Sequence, residues 1–284
     1  MIQDLKEEYR NVLLLDVGDF FWPRKLGELR TKTTAKAMKM MEYDALNVAD
    51  GELSFGIDFL KGVDAKVRRS FVNSNISGRE DFPWQSCLIK TYNGLRVAIL
   101  GVVSPDLVNH TRMREDGMLI EDPEVSLRRM LSDVREKTDL VVLMSHLGWE
   151  PTRTLIDRVS GIDIAIVGHA TYPTLDPEKV GKAILLKNSR GGKHLGVVKL
   201  WLDDSKKIRK FKSALEELSS DIHIYPEYTL PETEFDTKKR ELNQKKKQVR
   251  KKEQMMEKFK DWTKLSPEEF IEMMKREKEA TDDK

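Results

Sequence analysis

The chain has 284 residues, 39% of them apolar and 35% charged, against roughly 45–50% and 25% in typical globular domains. Residues 236–284 hold 16 Lys and Arg against 12 Asp and Glu, so this tail is basic, while residues 1–235 carry a net charge of −2. This uneven distribution argues against a protein that coats nucleic acid with its whole surface, and the single cysteine, Cys87, excludes an intramolecular disulfide.

Short apolar runs alternate with helical patterns in residues 1–235, which is typical of an α/β fold. Asn93-Gly94 predicts a tight hairpin, and Asp122-Pro123 predicts the first turn of a helix. In chain order, the pattern predicts a strand at 12–15, a helix at 26–42, a strand at 45–48, a helix at 55–62, strands at 71–73, 87–92 and 95–102, a helix from 123 to about 137, a strand at 140–144, a helix at 152–159, and strands at 162–167, 182–187 and 195–202.

The composition changes after Pro231, so we expect a folded body over residues 1–235 and a charged helical tail over 236–284. Nine positive charges in residues 238–252 indicate either an arm for nucleic acid or anionic lipid, or a solvated helix, and the lack of interleaved aromatic residues favours the solvated helix. The apolar residues of the tail indicate docking on the body or on a protein partner; they are Met255, Met256, Phe259 and Trp262.

Four polar residues each follow the C-terminal end of a predicted buried strand: Asp19, Asp50, His146 and His169. In an open α/β sheet these strand ends form one crevice where ligands bind. Each residue alone has an ordinary explanation, as a turn or as a packed histidine, but the four together have the composition of a metal site. Mixed nitrogen and oxygen ligands suit a divalent transition metal such as zinc, manganese or iron.

Four segments resemble the motifs of the 5′-nucleotidase branch of the calcineurin-like metallophosphoesterases. They are Asn11-Val-Leu-Leu-Leu-Asp-Val-Gly-Asp19, the run 43–56 containing Asp50-Gly51-Glu52, Val141-Val-Leu-Met-Ser-His-Leu-Gly148 and Asp163-Ile-Ala-Ile-Val-Gly-His169. The resemblance covers roughly residues 5–220. It implies a metallophosphoesterase-like domain over 1–235, built as a four-layer αββα sandwich that lacks the first strand. It also implies hydrolysis of phosphate esters at a dinuclear metal centre.

The resemblance assigns a metal-binding role to each of the four polar residues. Asp19 would be the carboxylate that bridges two ions, Asp50 stands where the family has an Asn ligand, and His146 and His169 fill the two His positions of the same metal. The family's first motif has no counterpart, Gly51 replaces a His, and Thr171 stands where a His or Gln holds the other metal. We therefore expect one bound ion, with two possible, in an incomplete centre with no assigned catalytic residue.

Two functions follow from this incomplete centre. The first is a metal-dependent phosphoester hydrolase of 5′-nucleotidase type with reduced activity, because the carboxylate of Asp50 would partly neutralise the remaining ion. The alternative is a non-catalytic, metal-binding scaffold or a partner-binding protein on the same fold. We expect a phosphate-ester small molecule as substrate if the chain is active, no nucleic-acid partner and no membrane span. The charged N-terminus predicts no signal peptide as written, which fits the cytoplasm, but related enzymes are often extracytoplasmic, so the sequence leaves the localisation open.

Overall fold

A computed structural model of the chain describes residues 1–21, 27–78, 80–170, 176–188, 191–219, 229–262 and 266–272. The chain divides into two compact units, Met1–Pro231 and Glu232–Lys284. Among the described residues, no helix combines the length and the apolar character that crossing a membrane requires.

The first unit contains two main sheets. The smaller sheet is parallel, in the order β1-β2-β3, and the larger mixed sheet has the order β10-β11-β9-β8-β6-β5. Two antiparallel pairs, β4 with β7 and β12 with β13, complete the strands. The strands are β1 (Leu15–Asp16), β2 (Ala45–Asn47), β3 (Phe71–Val72), β4 (Ile76–Ser77), β5 (Leu88–Tyr92), β6 (Leu95–Val103), β7 (Leu119–Ile120), β8 (Leu140–His146), β9 (Ile164–Val167), β10 (Glu178–Val180), β11 (Ala183–Lys187), β12 (His194–Leu202) and β13 (Ile208–Glu217).

The helices are α1 (Ile2–Glu8), α2 (Gly27–Met41), α3 (Asp50–Leu53), α4 (Ile57–Gly62), α5 (Ala65–Arg68), α6 (His110–Glu115), α7 (Pro123–Val134), α8 (Trp149–Arg158) and, in the second unit apart from its first residues, α9 (Thr229–Trp262). Residues 267–272 are also helical, and Ser266 and Glu269 form a capping box with bonds of 2.8 and 3.3 Å.

Three buried apolar clusters separate four layers of secondary structure. One cluster joins α2 to the smaller sheet, through side chains such as Met38 and Leu46. A second lies between the two sheets and includes Val72 and Val142. The third packs α7 and α8 on the outer face of the larger sheet. The order is therefore helix, sheet, sheet, helix, and the predicted αββα sandwich with a helical tail is confirmed.

Several predicted elements need correction. The strand predicted at 12–15 pairs only from Leu15, and α8 begins at Trp149, three residues before the predicted start. The predicted strands 182–187 and 195–202 are followed by another strand, β13, which the sequence pattern did not predict and which pairs with β12 along its length. The residues of β13 are all half-buried or exposed, so this strand lacks the continuous apolar run by which buried strands are recognised. The Asn93-Gly94 hairpin is confirmed, with φ of +47° and +82°.

Candidate metal centre

The ends of four strands bring the predicted ligands to one edge of the sandwich. Asp19 lies three residues after β1, and Asp50 is the first residue of α3, which follows β2. His146 is the last residue of β8, and His169 lies two residues after β9. The strands β8 and β9 are parallel neighbours, so their C-terminal ends lie side by side. This placement agrees with the crevice that the sequence pattern predicts.

Two of the four residues have backbone conformations that are unusual for residues other than glycine. Asp19 has a φ of +63° and His169 a φ of +52°. A residue in the left-handed region stores strain that the surrounding contacts must offset, and such residues cluster at functional sites. Both conformations lie in the loops that carry the candidate ligands. The surrounding contacts therefore hold these two residues in place despite the conformational free energy that a left-handed backbone costs.

The ring of His146 has a defined tautomer because of its backbone contact. Its Nδ1 lies 2.9 Å from the carbonyl oxygen of Val17, and a carbonyl oxygen only accepts, so Nδ1 carries the hydrogen. The lone pair of Nε2 therefore points at two carboxylate oxygens, Asp19 Oδ2 and Asp50 Oδ1, each 3.4 Å away. A distance of 3.4 Å separates two ligand atoms that each lie about 2.1 Å from one ion at a tetrahedral angle.

Two atoms at this point are buried without a partner. His146 Nε2 and Asp50 Oδ1 have no hydrogen-bond partner among the described residues, and the His146 side chain is 2% exposed. Most buried polar atoms in proteins are hydrogen-bonded, so orphaned lone pairs that face one another call for a cation between them. The donor atoms present therefore fit a divalent metal ion.

His169 completes a group of three ligands on the solvent side. One ligand atom each from Asp19, His146 and His169 lies within 4.8 Å of the others, and the two imidazole rings have centroids 5.4 Å apart. The side chain of His169 is exposed, whereas that of His146 is buried. The cluster is thus anchored in the core on one side and open to small molecules on the other.

The electrostatics of the site also favour a positive charge between the carboxylates. Burial lowers the pKa of His146, but the nearby carboxylates of Asp19 and Asp50 outweigh burial and the net shift is upwards. Burial raises the pKa of Asp19, but His146 and the Gly51 N–H outweigh it, and the net shift is downwards. Burial and the charge of Asp19 raise the pKa of Asp50. A proton on His146 thus takes the place that a metal ion would fill.

Gly51, which stands where the family resemblance places a His, contacts the candidate ligand Asp19. The Gly51 N–H donates to Asp19 Oδ1 at 3.0 Å, so this oxygen already has a partner. A Cβ atom on residue 51 would lie 2.6 Å from Asp19 Oδ1 and 2.7 Å from the carbonyl oxygen of Phe21. The His that the resemblance places here does not fit this backbone. Thr171, the other departure, lies outside the described residues.

Glu52 organises the ligand loops, and the sequence analysis assigned it no role. It is fully buried, and its two carboxylate oxygens accept the N–H groups of Asp19, Phe21 and Ala49 at 3.0, 2.8 and 3.0 Å. Burial raises its pKa to about 8, although these hydrogen bonds act in the opposite direction. Its position three residues after Ala49, the N-cap residue of α3, is the sequence signal that could have identified it.

The αββα sandwich with carboxylates and imidazoles at its strand ends is the arrangement that the resemblance to metallophosphoesterases implies. No protein-family model matches this sequence. The chain is 25% identical over 272 residues to the trifunctional nucleotide phosphoesterase YfkN of Bacillus subtilis, a match that covers 78% of this chain. The chain spans 19% of the length of that relative.

Two solved structures share the fold. The 5′-nucleotidase precursor from Thermus thermophilus has a TM-score of 0.71 at 19% identity, covering 86% of this chain and 52% of that one. The calcineurin-like phosphoesterase YfkN from Bacillus subtilis has a TM-score of 0.67 at 23% identity, covering 84% and 86%. The resemblance to the 5′-nucleotidase branch of the calcineurin-like phosphoesterases is therefore confirmed. The incomplete metal centre stays a prediction.

Proposed function

We propose that this chain is a phosphoester hydrolase of 5′-nucleotidase type that works with a single divalent metal ion and has reduced activity. The observation that carries the proposal is the pair of orphaned buried atoms, His146 Nε2 and Asp50 Oδ1, which face each other and Asp19 Oδ2. Three protein donors are typical of a catalytic zinc site; Asp19, His146 and His169 form one such group, and Asp50 Oδ1 lies 3.4 Å from His146 Nε2.

Each residue of the centre has a distinct task in this proposal. Asp19, Asp50, His146 and His169 would hold the ion, which we expect to be zinc, manganese or iron. A divalent ion held there supplies polarisation of a phosphoryl oxygen and activation of a water molecule. The contact from Val17 keeps His146 Nε2 aimed at the centre, and Glu52 keeps Asp19 in its left-handed conformation. The exposed His169 marks the side from which a phosphate ester enters.

Two features support reduced activity. Asp50 adds a negative charge where the family resemblance places a neutral amide, so it lowers the attraction of the centre for an anionic phosphate. Gly51 takes the place of a His and commits Asp19 Oδ1 to a backbone hydrogen bond. The relatives are named as nucleotide phosphoesterases and nucleotidases, and we propose a phosphomonoester or nucleotide as the substrate here.

The same Gly51 contact favours a second candidate, a metal-binding scaffold without turnover. With Asp19 Oδ1 engaged at 3.0 Å, a second ion has few ligands left, and a centre of one ion could serve binding alone. The two candidates share the metal site and differ in whether phosphate esters are hydrolysed there.

The test measures hydrolysis by the full chain loaded with manganese or zinc, with p-nitrophenyl phosphate and AMP as probes. We expect slow turnover that His146→Ala abolishes, while His110→Ala, a change at another histidine, leaves it unchanged. Asp50→Asn should raise kcat/KM about tenfold, equivalent to about 1.4 kcal/mol of transition-state stabilisation. The matched control is Asp58→Asn, an exposed carboxylate in the first turn of α4. Metal binding without turnover in both the wild type and Asp50→Asn would establish the scaffold.

A further inference from the structure

The second unit carries a regular apolar stripe on an otherwise polar helix. Four apolar residues of α9 recur at intervals of seven: Phe235, Leu242, Val249 and Met256. Residues seven apart drift by only about 20° around a helix, so the four side chains share one face over about 31 Å of its length. Leu242, Val249 and Met256 are 37%, 53% and 64% exposed, and every side chain from residue 237 to residue 257 is exposed.

Lysines border this stripe on both sides. Lys238, Lys245 and Lys252 lie three residues after successive stripe residues, and Lys239, Lys246 and Glu253 lie four residues after them. Residues three and four apart on a helix are neighbours on its surface. The face that α9 presents is therefore a single apolar line flanked by five lysines and one glutamate, narrower than the seam of a coiled coil, which has two apolar positions in each seven.

A second copy of this chain is a poor partner for that face. In a parallel pair, the contact line between the two helices would place each of three lysines opposite the same residue of the other copy; they are Lys238, Lys245 and Lys252. In an antiparallel pair centred on the stripe, Lys245 would meet Lys246, and Lys239 would meet Lys252. Both arrangements place like charges next to apolar contacts, where they repel and lose hydration. Charge complementarity points instead to an acidic partner.

Nucleic acid and lipid surfaces fit the stripe less well than a helix does. Binding to phosphates needs positive charge but no line of aliphatic side chains, and single strands prefer aromatic residues for stacking. Helices that lie in a membrane interface have a broad apolar face, whereas α9, up to residue 257, has one apolar residue in each seven from Phe235 to Val249 and only Met255 in addition to Met256 beyond them. A partner helix matches both features, because residues seven apart form one line along α9 that a second helix laid beside it can cover, while its acidic residues face the lysines.

We propose that α9 is a docking helix for an acidic amphipathic helix of another protein. The partner would carry apolar residues at heptad spacing to cover Leu242, Val249 and Met256, with Asp or Glu beside them to face the lysines. Flanking opposite charges set the choice of partner and the orientation in helix pairs, while the apolar line supplies most of the affinity. This inference does not depend on the metal centre.

The test uses the full chain and two synthetic peptides of four heptads, with leucine at the seam positions. One peptide has glutamate beside the seam, and the other has lysine at the same places. We expect the acidic peptide to bind the chain in fluorescence anisotropy, with an affinity that falls as salt rises, and the basic peptide not to bind. Leu242→Ser with Val249→Ser should weaken binding at least tenfold.

The matched control is Gln244→Ser with Gln254→Ser, which makes the same number of serine substitutions away from the stripe and should leave affinity unchanged. Circular dichroism of both double variants checks that α9 stays helical. Three outcomes would overturn the proposal: equal binding of both peptides, no binding of the acidic peptide, or a dimer of the chain in light scattering that the stripe variant dissolves. Tight binding of single-stranded DNA that the stripe variant leaves intact, without acidic-peptide binding, would identify an electrostatic arm instead.

Discussion

Replacement of Glu52 tests how the fold holds its ligand loops. Its carboxylate oxygens accept three N–H groups, two at Oε2 from Asp19 and Ala49 and one at Oε1 from Phe21. Each buried donor left without an acceptor costs about 1–3 kcal/mol. In Glu52→Gln the amide oxygen can accept the two N–H groups that Oε2 accepts in the wild type, so only the bond from the Phe21 N–H is lost. The free energy of unfolding should therefore fall by about 1–3 kcal/mol, and metal binding should be retained.

Glu52→Ala should be much more damaging, because it removes all three acceptors. The same reasoning gives a loss of about 3–9 kcal/mol, comparable with the total stability of about 5–15 kcal/mol of a typical domain. Urea unfolding gives the stability, and calorimetric titration with zinc gives the affinity that depends on Asp19. Glu7→Gln and Glu7→Ala, on the exposed face of α1, are the controls and should change stability by less than about 0.5 kcal/mol. Wild-type stability and zinc affinity in Glu52→Ala would refute the assigned role.

Three further predictions follow from the site. Burial raises the pKa of Asp16 from 3.8 to about 6, so its contribution to stability is present below pH 4 and is lost as the pH rises through 6. Asp16→Asn should remove up to about 3 kcal/mol of that pH dependence, measured as the difference between the two unfolding curves. Gly51→Ala should cost about 1–3 kcal/mol through its clash with Asp19, whereas Gly62→Ala, with no atom within 4 Å of the added methyl group, should not destabilise the protein. Zinc at about 100 times its Kd should stabilise the wild type by about 2.7 kcal/mol, and His146→Ala should abolish this gain in thermal unfolding.

The fold was predictable from sequence where strands are buried on both sides. The segment that becomes β8 contains a continuous apolar run and is fully buried, so the apolar run alone predicts a strand covered on both faces. β13 was missed because its side chains are all half-buried or exposed and its sequence contains no apolar run. The strand predicted at 12–15 began too early because Leu14 is buried, as a strand residue would be, but does not belong to the two-residue strand β1.

The placement of the four candidate ligands at one edge was predictable because strand ends converge, but their arrangement was not. Sequence alone placed His146 after a strand, whereas its tautomer depends on the carbonyl group of Val17, which is 129 residues away in the chain. The bond from the Ala49 N–H to Glu52 follows from the capping-box spacing, but the bonds from Asp19 and Phe21 come from a distant loop, and no residue pattern indicates them. The contact of Gly51 with Asp19 likewise depends on the distance between two loops.

The central claim is that Asp19, Asp50, His146 and His169 hold one metal ion. Elemental mass spectrometry of the purified full chain, after incubation with zinc or manganese and removal of free metal, tests it most directly. We predict one ion per chain in the wild type and in the Asp58→Asn control, and none in Asp19→Ala. Two ions per chain would show that other residues complete a dinuclear centre, and no ion in the wild type would contradict the metal site itself.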